Sequence, residues 1–300
     1  MTEFAVHRDP LSDRLTPERQ LALERLFGRM GDLVSLPTAA QKIVQLTQND
    51  SADANELRDV IQTDPVLVAR ILRRLNSAYY SLSNRVADIR QAVSLLGIRE
   101  IRNLALTVYA SRMFEKPGDH GTYKRKNLWV HSVAVGAAAR LVARVCGRAN
   151  PDEVYIAGLL HDLGLILLDQ SLHKHFVRIL DQLTPQLPAY LLEQRMLTFD
   201  HALLGGFIAR KWNLPPQIAD AVAYHHEPLH YTGEHRDMVY VVAVANYLCS
   251  RAGVTSLGVH NLPPPPDEAY THLGLDQVAL AIIWDELEKT IEKSETLAMG

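Results

Sequence analysis

The sequence predicts an all-α protein built as two helical lobes. Helix-start patterns recur along the chain, and a capping side chain followed by proline at the first helical position occurs at Thr16 and Pro17 and again at Asp64 and Pro65. Apolar residues then recur at helical spacing after each start. No strand-like alternation persists, so the sequence gives no indication of a β-sheet.

The first predicted lobe covers residues 16–118. Its helix starts are marked by capping residues or proline, at Pro17, Pro37, Asp53, Asp64 and Asp88. Gly31 and Gly97 are placed to end two of these helices. The loop at 116–119 contains proline and glycine and breaks the helical pattern. We therefore place the lobe boundary after residue 118 and expect residues 1–15 to form a flexible N-terminus.

The second predicted lobe covers residues 119–300. Helical patterns are expected at 123–145, 151–161, 171–183, 189–196, 201–212, 216–226, 238–251 and 276–294. The basic run at 124–126 opposes the dipole at the start of a helix, so that helix starts a turn away or an anion lies nearby. The last helix has an apolar stripe opposite a charged face, and we expect it to pack on this lobe.

Composition excludes several classes of protein. Apolar residues make up 47% and charged residues 22% of the chain, which is ordinary globular usage. The net charge of −3 provides no bulk attraction for nucleic acid or anionic lipid. The apolar stretches are shorter than the roughly 18 residues of a membrane helix, and two cysteines are too few for a disulfide framework. We expect a cytoplasmic protein that does not bind membranes and for which nucleic acid is an unfavoured partner, although a local basic patch stays open.

The unusual feature is a set of 13 histidines. Six potential ligands lie at predicted helix ends or on apolar helix faces: His131, His161, Asp162, His201, His225 and His226. Imidazole suits iron, zinc, nickel and manganese, and a carboxylate can bridge two ions. Hydrogen-bonded core histidines would produce the same spacing, so the pattern alone leaves both interpretations open.

Several motifs resemble one family. They are Leu36-Pro37, DPVL at 64–67, LNSAYY at 75–80, QAV at 91–93, LLG at 95–97, RNL at 102–104, WVHS at 129–132, GLLHDLG at 158–164, HALLG at 201–205 and WNLP at 212–215. Together with His225 and His226, this order is similar to that of the HDOD proteins, the HD-related output domains of bacterial signalling. HDOD proteins are a branch of the HD and HD-GYP superfamily of metal-dependent phosphohydrolases.

The resemblance implies a two-lobed α fold with an HD-like second lobe and a role in bacterial signal transduction or regulation, often without demonstrated enzymatic activity. It also implies that the six side chains are a ligand set for one or two divalent ions of iron, zinc, nickel or manganese. Asp162 is then the candidate catalytic residue. Asn246 and Asn127 are weaker ligand candidates, because they stand where HD enzymes usually carry aspartate and some HD-GYP enzymes carry glutamate.

The departures from the enzyme pattern reduce the charge of the expected site. Leu165 replaces a lysine that holds phosphate in the HD-GYP branch, and the GYP segment is missing after His226. Amide oxygens are poorer ligands for hard cations than carboxylates. The remaining groups would balance little of the charge of several ions and would not steady a developing phosphoryl charge.

Three functional hypotheses follow. The first is a regulatory protein that binds a signalling partner or a small nucleotide-like ligand and keeps a metal-site remnant with little or no hydrolase activity. The alternative is an active phosphodiesterase on a nucleotide or cyclic dinucleotide, and the third is a regulator that binds nucleic acid directly. Candidate contacts to a ligand or partner are Arg70, Arg74, Asn76 and Lys124, although solvated helix faces and turns carry such residues routinely. The sequence leaves the oligomeric state open.

Overall fold

The computed structural model describes residues 10–31, 37–47, 53–77, 79–80, 82 and 84–299, and these residues form the predicted all-α fold. The first helices are α1 (Leu11–Arg14), α2 (Pro17–Met30), α3 (Thr38–Thr47), α4 (Ala54–Gln62), α5 (Pro65–Leu75) and α6 (Ile89–Arg112). A short hairpin of β1 (Asp119–His120) and β2 (Tyr123–Lys124) leads into α7 (Arg125–Cys146), α8 (Pro151–Leu160) and α9 (Leu163–Ser171). The later helices are α10 (His173–Leu180), α11 (Ala189–Leu197), α12 (His201–Lys211), α13 (Pro216–Tyr224), α14 (Arg236–Arg251), α15 (Asp267–Leu273) and α16 (Gln277–Met299).

The predicted caps are formed. The Thr16 hydroxyl accepts a hydrogen bond from the Arg19 amide at 3.3 Å, and one Asp64 oxygen accepts the first free amides of α5 at 3.0 Å. Gly97 has φ 82° and ψ 161° and interrupts α6, so the predicted helix break occurs there. The helix resumes at once, which places both halves in one long element. Leu36 and Ala78 of the quoted motifs lie outside the described residues.

Helix α7 lies at the centre of the second half, packed against α8, α14 and α16. A Cβ on Gly136 would lie 2.9 Å from the Tyr155 carbonyl oxygen, and one on Gly158 would lie 2.9 Å from the Gly136 Cα. Glycine at both positions therefore lets the α7 and α8 backbones touch. This close approach fixes the end of α8, where His161 and Asp162 follow.

Helices α16 and α7 bear on two expectations from the sequence, the packing of the last helix and the length of the apolar segments. Helix α16 packs on α7, as predicted, and the Trp129 indole donates a hydrogen bond to the Ala298 carbonyl at 3.1 Å. Helix α16 ends at Met299, beyond the predicted end at residue 294. By length and composition α7 could cross a membrane, but most of it is buried inside the fold.

The prediction of a flexible N-terminus is wrong for residues 10–15, while residues 1–9 lie outside the described part of the chain. Leu11 is buried, and the Arg14 guanidinium lies 2.6 Å from the Asp200 carboxylate and 3.1 Å from that of Glu227. Apolar burial and two counter-charges therefore hold this segment against α12 and α13. The boundary after residue 118 stays a prediction.

The anion expected near the start of α7 is Asp169. Its buried carboxylate lies 2.7 Å from the Arg125 guanidinium and accepts a hydrogen bond from the Tyr123 hydroxyl at 2.9 Å. The positive charge at this helix start is thus neutralised by a carboxylate from α9. Lys124 itself is exposed.

We predict that Arg125→Ala lowers the free energy of unfolding by about 3 to 5 kcal/mol, because it leaves the Asp169 carboxylate buried without its counter-ion. Urea unfolding followed by circular dichroism measures the change. Lys289→Ala, which removes the exposed pair with Glu286, serves as the control and should cost no more than about 1 kcal/mol. Equal effects of the two substitutions would contradict the structural importance of the Arg125 pair.

Candidate metal centre

The six side chains singled out in the sequence come together in the structure. His131 lies within α7, His161 and Asp162 form the turn between α8 and α9, and His201 begins α12. His225 and His226 follow the end of α13. All but His226 are almost completely buried. Four separate parts of the fold therefore direct ring nitrogens and one carboxylate into a common space.

Asp162 is the centre of this arrangement. Its Oδ2 lies 3.2 Å from the His161 Nε2 and 3.6 Å from the His131 Nε2. Its Oδ1 lies 3.2 Å from the His201 Nε2 and 3.7 Å from the His225 Nε2. The ligand atoms form two groups that share Asp162, one with His131 and His161 and one with His201, His225 and His226, and within each group all atoms lie within 4.8 Å of one another.

Backbone carbonyls fix the tautomer of three rings. The Nδ1 atoms of His131, His161 and His225 lie 2.8, 2.7 and 2.7 Å from the carbonyl oxygens of Val254, Gly158 and Val222. A carbonyl accepts only, so each Nδ1 carries the proton and each Nε2 presents a lone pair. These three Nε2 atoms are buried and have no hydrogen-bond partner. Orphaned lone pairs of this kind, oriented from behind by carbonyls, fit a divalent metal ion.

Burial and neighbouring charges set the protonation states. Burial lowers the pKa of His131 to about 4, and it also holds the pKa values of His225 and His226 well below their usual value. Burial opposes ionisation of Asp162, but His161 and His201 outweigh it and keep the carboxyl pKa well below its ordinary value. The cluster thus presents the Asp162 carboxylate beside the neutral rings of His131, His225 and His226, which is the form of these groups that binds metal.

Glu193 is a site residue that the sequence reasoning missed. It is fully buried in α11, and its Oε2 accepts hydrogen bonds from both the backbone amide and the Nδ1 of His201, each at 2.6 Å. Burial disfavours a charged His201 ring, but the Glu193 carboxylate prevails and raises the pKa of His201 well above its usual value. The sequence did carry a signal for Glu193, because it lies four residues from both Ala189 and Leu197 and so places a carboxylate on the apolar face of α11.

The glycine after the doublet lets the site close. A Cβ on Gly164 would collide with the backbone carbonyl of His201. Because glycine has no side chain, the start of α9 can lie directly against the start of α12, which brings His201 to Asp162. The second glycine of the GLLHDLG segment, Gly164, is therefore required for close packing of α9 against α12 within the site.

The two weaker ligand candidates separate. Asn246 is buried and lines a small cavity beside Asp162 and His201. Asn127 is exposed, so the expectation that it could join the ligands is wrong. It lies in the first turn of α7, about one helical turn before His131, and the cluster is formed deeper in the fold. Leu165 also lines the small cavity, in the place where the sequence comparison expected a lysine in an enzyme.

The four candidate ligand or partner contacts do not form one site. Arg70 pairs with Glu115, and Lys124 is exposed. The Asn76 amide bonds the Leu72 and Val86 carbonyls and accepts from the Val86 amide, so it ties the end of α5 to the segment before α6. Arg74 is buried, and its Nε and Nη1 have no hydrogen-bond partner. Asn76 is therefore accounted for by structure, and only Arg74 keeps unsatisfied donors.

Comparison with known proteins identifies the family. The HDOD domain model matches residues 33–228, which is more than half of the chain. The chain belongs to the HDOD family. Its fold is similar to that of an HDOD domain protein with unknown function from Geobacter sulfurreducens, with a TM-score of 0.75 and 26% identity over 94% of this chain and 99% of that one.

Two further proteins, from Marinobacter aquaeolei and Treponema pallidum, are similar to this HDOD chain. A protein from Marinobacter aquaeolei described as a "Putative signal transduction protein" matches with a TM-score of 0.79 and 25% identity, over 97% of this chain and 65% of that one. An uncharacterized protein of Treponema pallidum is 29% identical over 220 residues, or 73% of this chain. The chain spans 42% and 31% of the curated relatives it matches, which is less than half of their length.

We predict that Glu193→Gln weakens metal binding by about 10- to 100-fold, because the amide orients and polarises the His201 ring less strongly than the carboxylate does. Competition between the metal-free protein and a chelating dye for zinc measures the affinity. Glu288→Gln on the exposed face of α16 is the matched control and should leave affinity unchanged. A Glu193→Gln protein that binds zinc like the parent would show that Glu193 only fills space.

Proposed function

We propose that this HDOD chain is a regulatory protein of bacterial signalling that holds one or two divalent transition-metal ions and acts by binding a partner or ligand, with little or no phosphohydrolase activity. The observation that carries the proposal is the set of buried, unpartnered Nε2 atoms around Asp162. They provide strong metal ligands in a site whose adjoining cavity is lined by no lysine or arginine among the described residues.

The ligand chemistry favours borderline transition metals. Asp162 would be shared, with His131 and His161 on one side and His201, His225 and His226 on the other. Five imidazoles and one carboxylate suit iron, zinc, nickel or manganese better than magnesium, which requires oxygen ligands. When bound, an ion would supply Lewis acidity, and the two ligand groups together would connect four parts of the fold.

The size and charge of the adjoining cavity argue against efficient hydrolysis. The cavity measures about 30 Å³, whereas pockets for small molecules have volumes of about 300 to 1,000 Å³. Among the described residues that line it, none is lysine or arginine, and Leu165 is apolar. A phosphoryl group would find little space and, among these described residues beside the metal ligands, no lysine or arginine to stabilise developing charge. Both properties support a structural or sensory metal.

Active hydrolysis is the second candidate, and one observation favours it. The sharing of Asp162 between two ligand groups resembles the bridging carboxylate of two-metal centres, which act on phosphate esters. Movement of the segment at 255–262 that lines the cavity would be required before a nucleotide could enter. The two candidates differ in whether metal-dependent turnover exists.

We predict one or two divalent transition-metal ions per chain in protein purified without an affinity tag, measured by inductively coupled plasma mass spectrometry. Asp162→Ala should lose all of them because it belongs to both groups, whereas His131→Ala should lose only the ion that depends on its own group. His175→Ala, which removes an exposed histidine, is the control. Parent protein that remains metal-free after incubation with each ion would refute the metal proposal.

A hydrolysis assay distinguishes the regulatory function from the enzymatic one. Metal-loaded protein should hydrolyse neither bis(4-nitrophenyl) phosphate nor cyclic dinucleotides faster than Asp162→Ala does. Both preparations are assayed under identical conditions with each of the four metals. Hydrolysis by the parent that disappears in Asp162→Ala would establish the phosphodiesterase instead, while hydrolysis that persists in the variant would originate from another site or from a contaminant.

A further inference from the structure

A second cavity, separate from the metal cluster, lies where α3 and α6 meet α8 and α9. It measures about 300 Å³, ten times the cavity at the cluster. Its wall is mostly aliphatic and is formed by Pro37, Val44, Leu106, Ala110, Met113, Ile156, Leu159, Leu160 and Leu214, with the ring of Trp212. A volume of this size is at the lower end of the range of small-molecule sites.

The polar groups of this wall are few, and most of their hydrogen bonds are already made. The Gln170 amide donates to the Met113 carbonyl at 2.6 Å, and the Tyr109 hydroxyl lies 3.4 Å from the Asp64 carboxylate. A nucleotide base would require several free donors and acceptors. The wall therefore fits an apolar body and provides little for a purine or pyrimidine.

Two cations complete the lining. Arg112 pairs with Asp64 through Nη2 at 3.1 Å, but its Nε is buried and has no hydrogen-bond partner. Lys116 is exposed and forms no ion pair within the described part of the chain. No aspartate or glutamate is among the described lining residues. An anionic group would therefore complement this edge of the cavity.

We propose that this cavity binds an amphipathic monocarboxylate, with an unbranched alkyl chain against the aliphatic wall and the carboxylate at Arg112 and Lys116. The chain would remove apolar surface from water, which is the main source of affinity for such a ligand. The carboxylate would lie beside the Arg112 guanidinium and accept from the exposed Lys116 ammonium group.

Helix α8 connects this cavity to the metal cluster. Ile156, Leu159 and Leu160 face the cavity, and His161 follows directly. The Gly158 carbonyl, in the same turn, accepts the hydrogen bond that orients the His161 ring. A ligand seated on α8 therefore contacts the turn that positions a metal ligand. Its role as a regulatory input rests on the function proposed above, but its binding does not.

Binding is tested with decanoate, by isothermal titration calorimetry on the full chain in both metal-free and metal-loaded form. The parent should bind one decanoate per chain, and decanol should bind by its alkyl chain alone. Lys116→Glu should lower the affinity for decanoate about tenfold or more and leave the affinity for decanol unchanged, because only the carboxylate is repelled by the reversed charge. Lys124→Glu, an exposed lysine away from the cavity, is the matched control and should change neither.

A variant that fills the cavity provides the second arm. Ala110→Trp should abolish binding of both decanoate and decanol. Because Lys116 is exposed, the charge test remains valid even if Ala110→Trp does not fold. Absence of decanoate binding to the parent, or equal loss of decanoate and decanol affinity in Lys116→Glu, would overturn the proposal. Metal content measured on the same samples keeps this failure distinct from failure of the metal site.

Discussion

The burial of one carboxylate organises the second half of this protein. Asp162 is almost fully enclosed, and a bare carboxylate in that position would cost several kcal/mol. The Nε2 lone pairs of His131, His161 and His225 face it at 3.2 to 3.7 Å and cannot offset this cost. The charge is balanced instead by the His201 ring, whose pKa is raised and whose Nε2 lies at 3.2 Å, or by a bound metal ion. Convergence of α9 and α12 is therefore a requirement for the charge as well as a consequence of apolar packing.

The surroundings of the cluster orient its side chains from one side and leave a small cavity on the other. Three carbonyls and Glu193 orient the rings from behind, so the ligand atoms are arranged before any ion arrives. On the open side, Leu165 and Asn246 line a cavity of about 30 Å³. Affinity for metal depends on the first property and catalysis of phosphoryl transfer on the second, so the two can be separated.

Local features of the fold could be predicted from the sequence, because their causes are local. The caps at Thr16 and Asp64 and the break at Gly97 depend on side chains within four residues of the feature. The HD-type order of histidines identified the six side chains that converge, because four of them stand in motifs of the family and the other two form the His225-His226 doublet. Asn127 was misplaced, since equivalence to an enzyme glutamate says nothing about how deep in α7 the cluster forms.

The remaining features arise from contacts between distant parts of the chain. Arg14 is ordered by Asp200, 186 residues away, and no pattern near Arg14 announces that partner. Glu193 is recognisable as a site residue only once α11 lies against the start of α12. Sequence reasoning found the residues that touch the central space and missed those that hold them in position.

Helix α8 connects the larger cavity with the metal-ligand cluster. One face of this helix lines the larger cavity through Leu159 and Leu160, and its end carries His161 and Asp162. Close contact of its backbone with α7 at Gly158 leaves little freedom to tilt without moving the cluster. A ligand that shifts α8 against α6 would therefore change the separation of the metal ligands, and metal binding would in return alter ligand affinity by the same factor. Helix α8 is therefore the element through which occupancy of the larger cavity and occupancy of the cluster would be coupled.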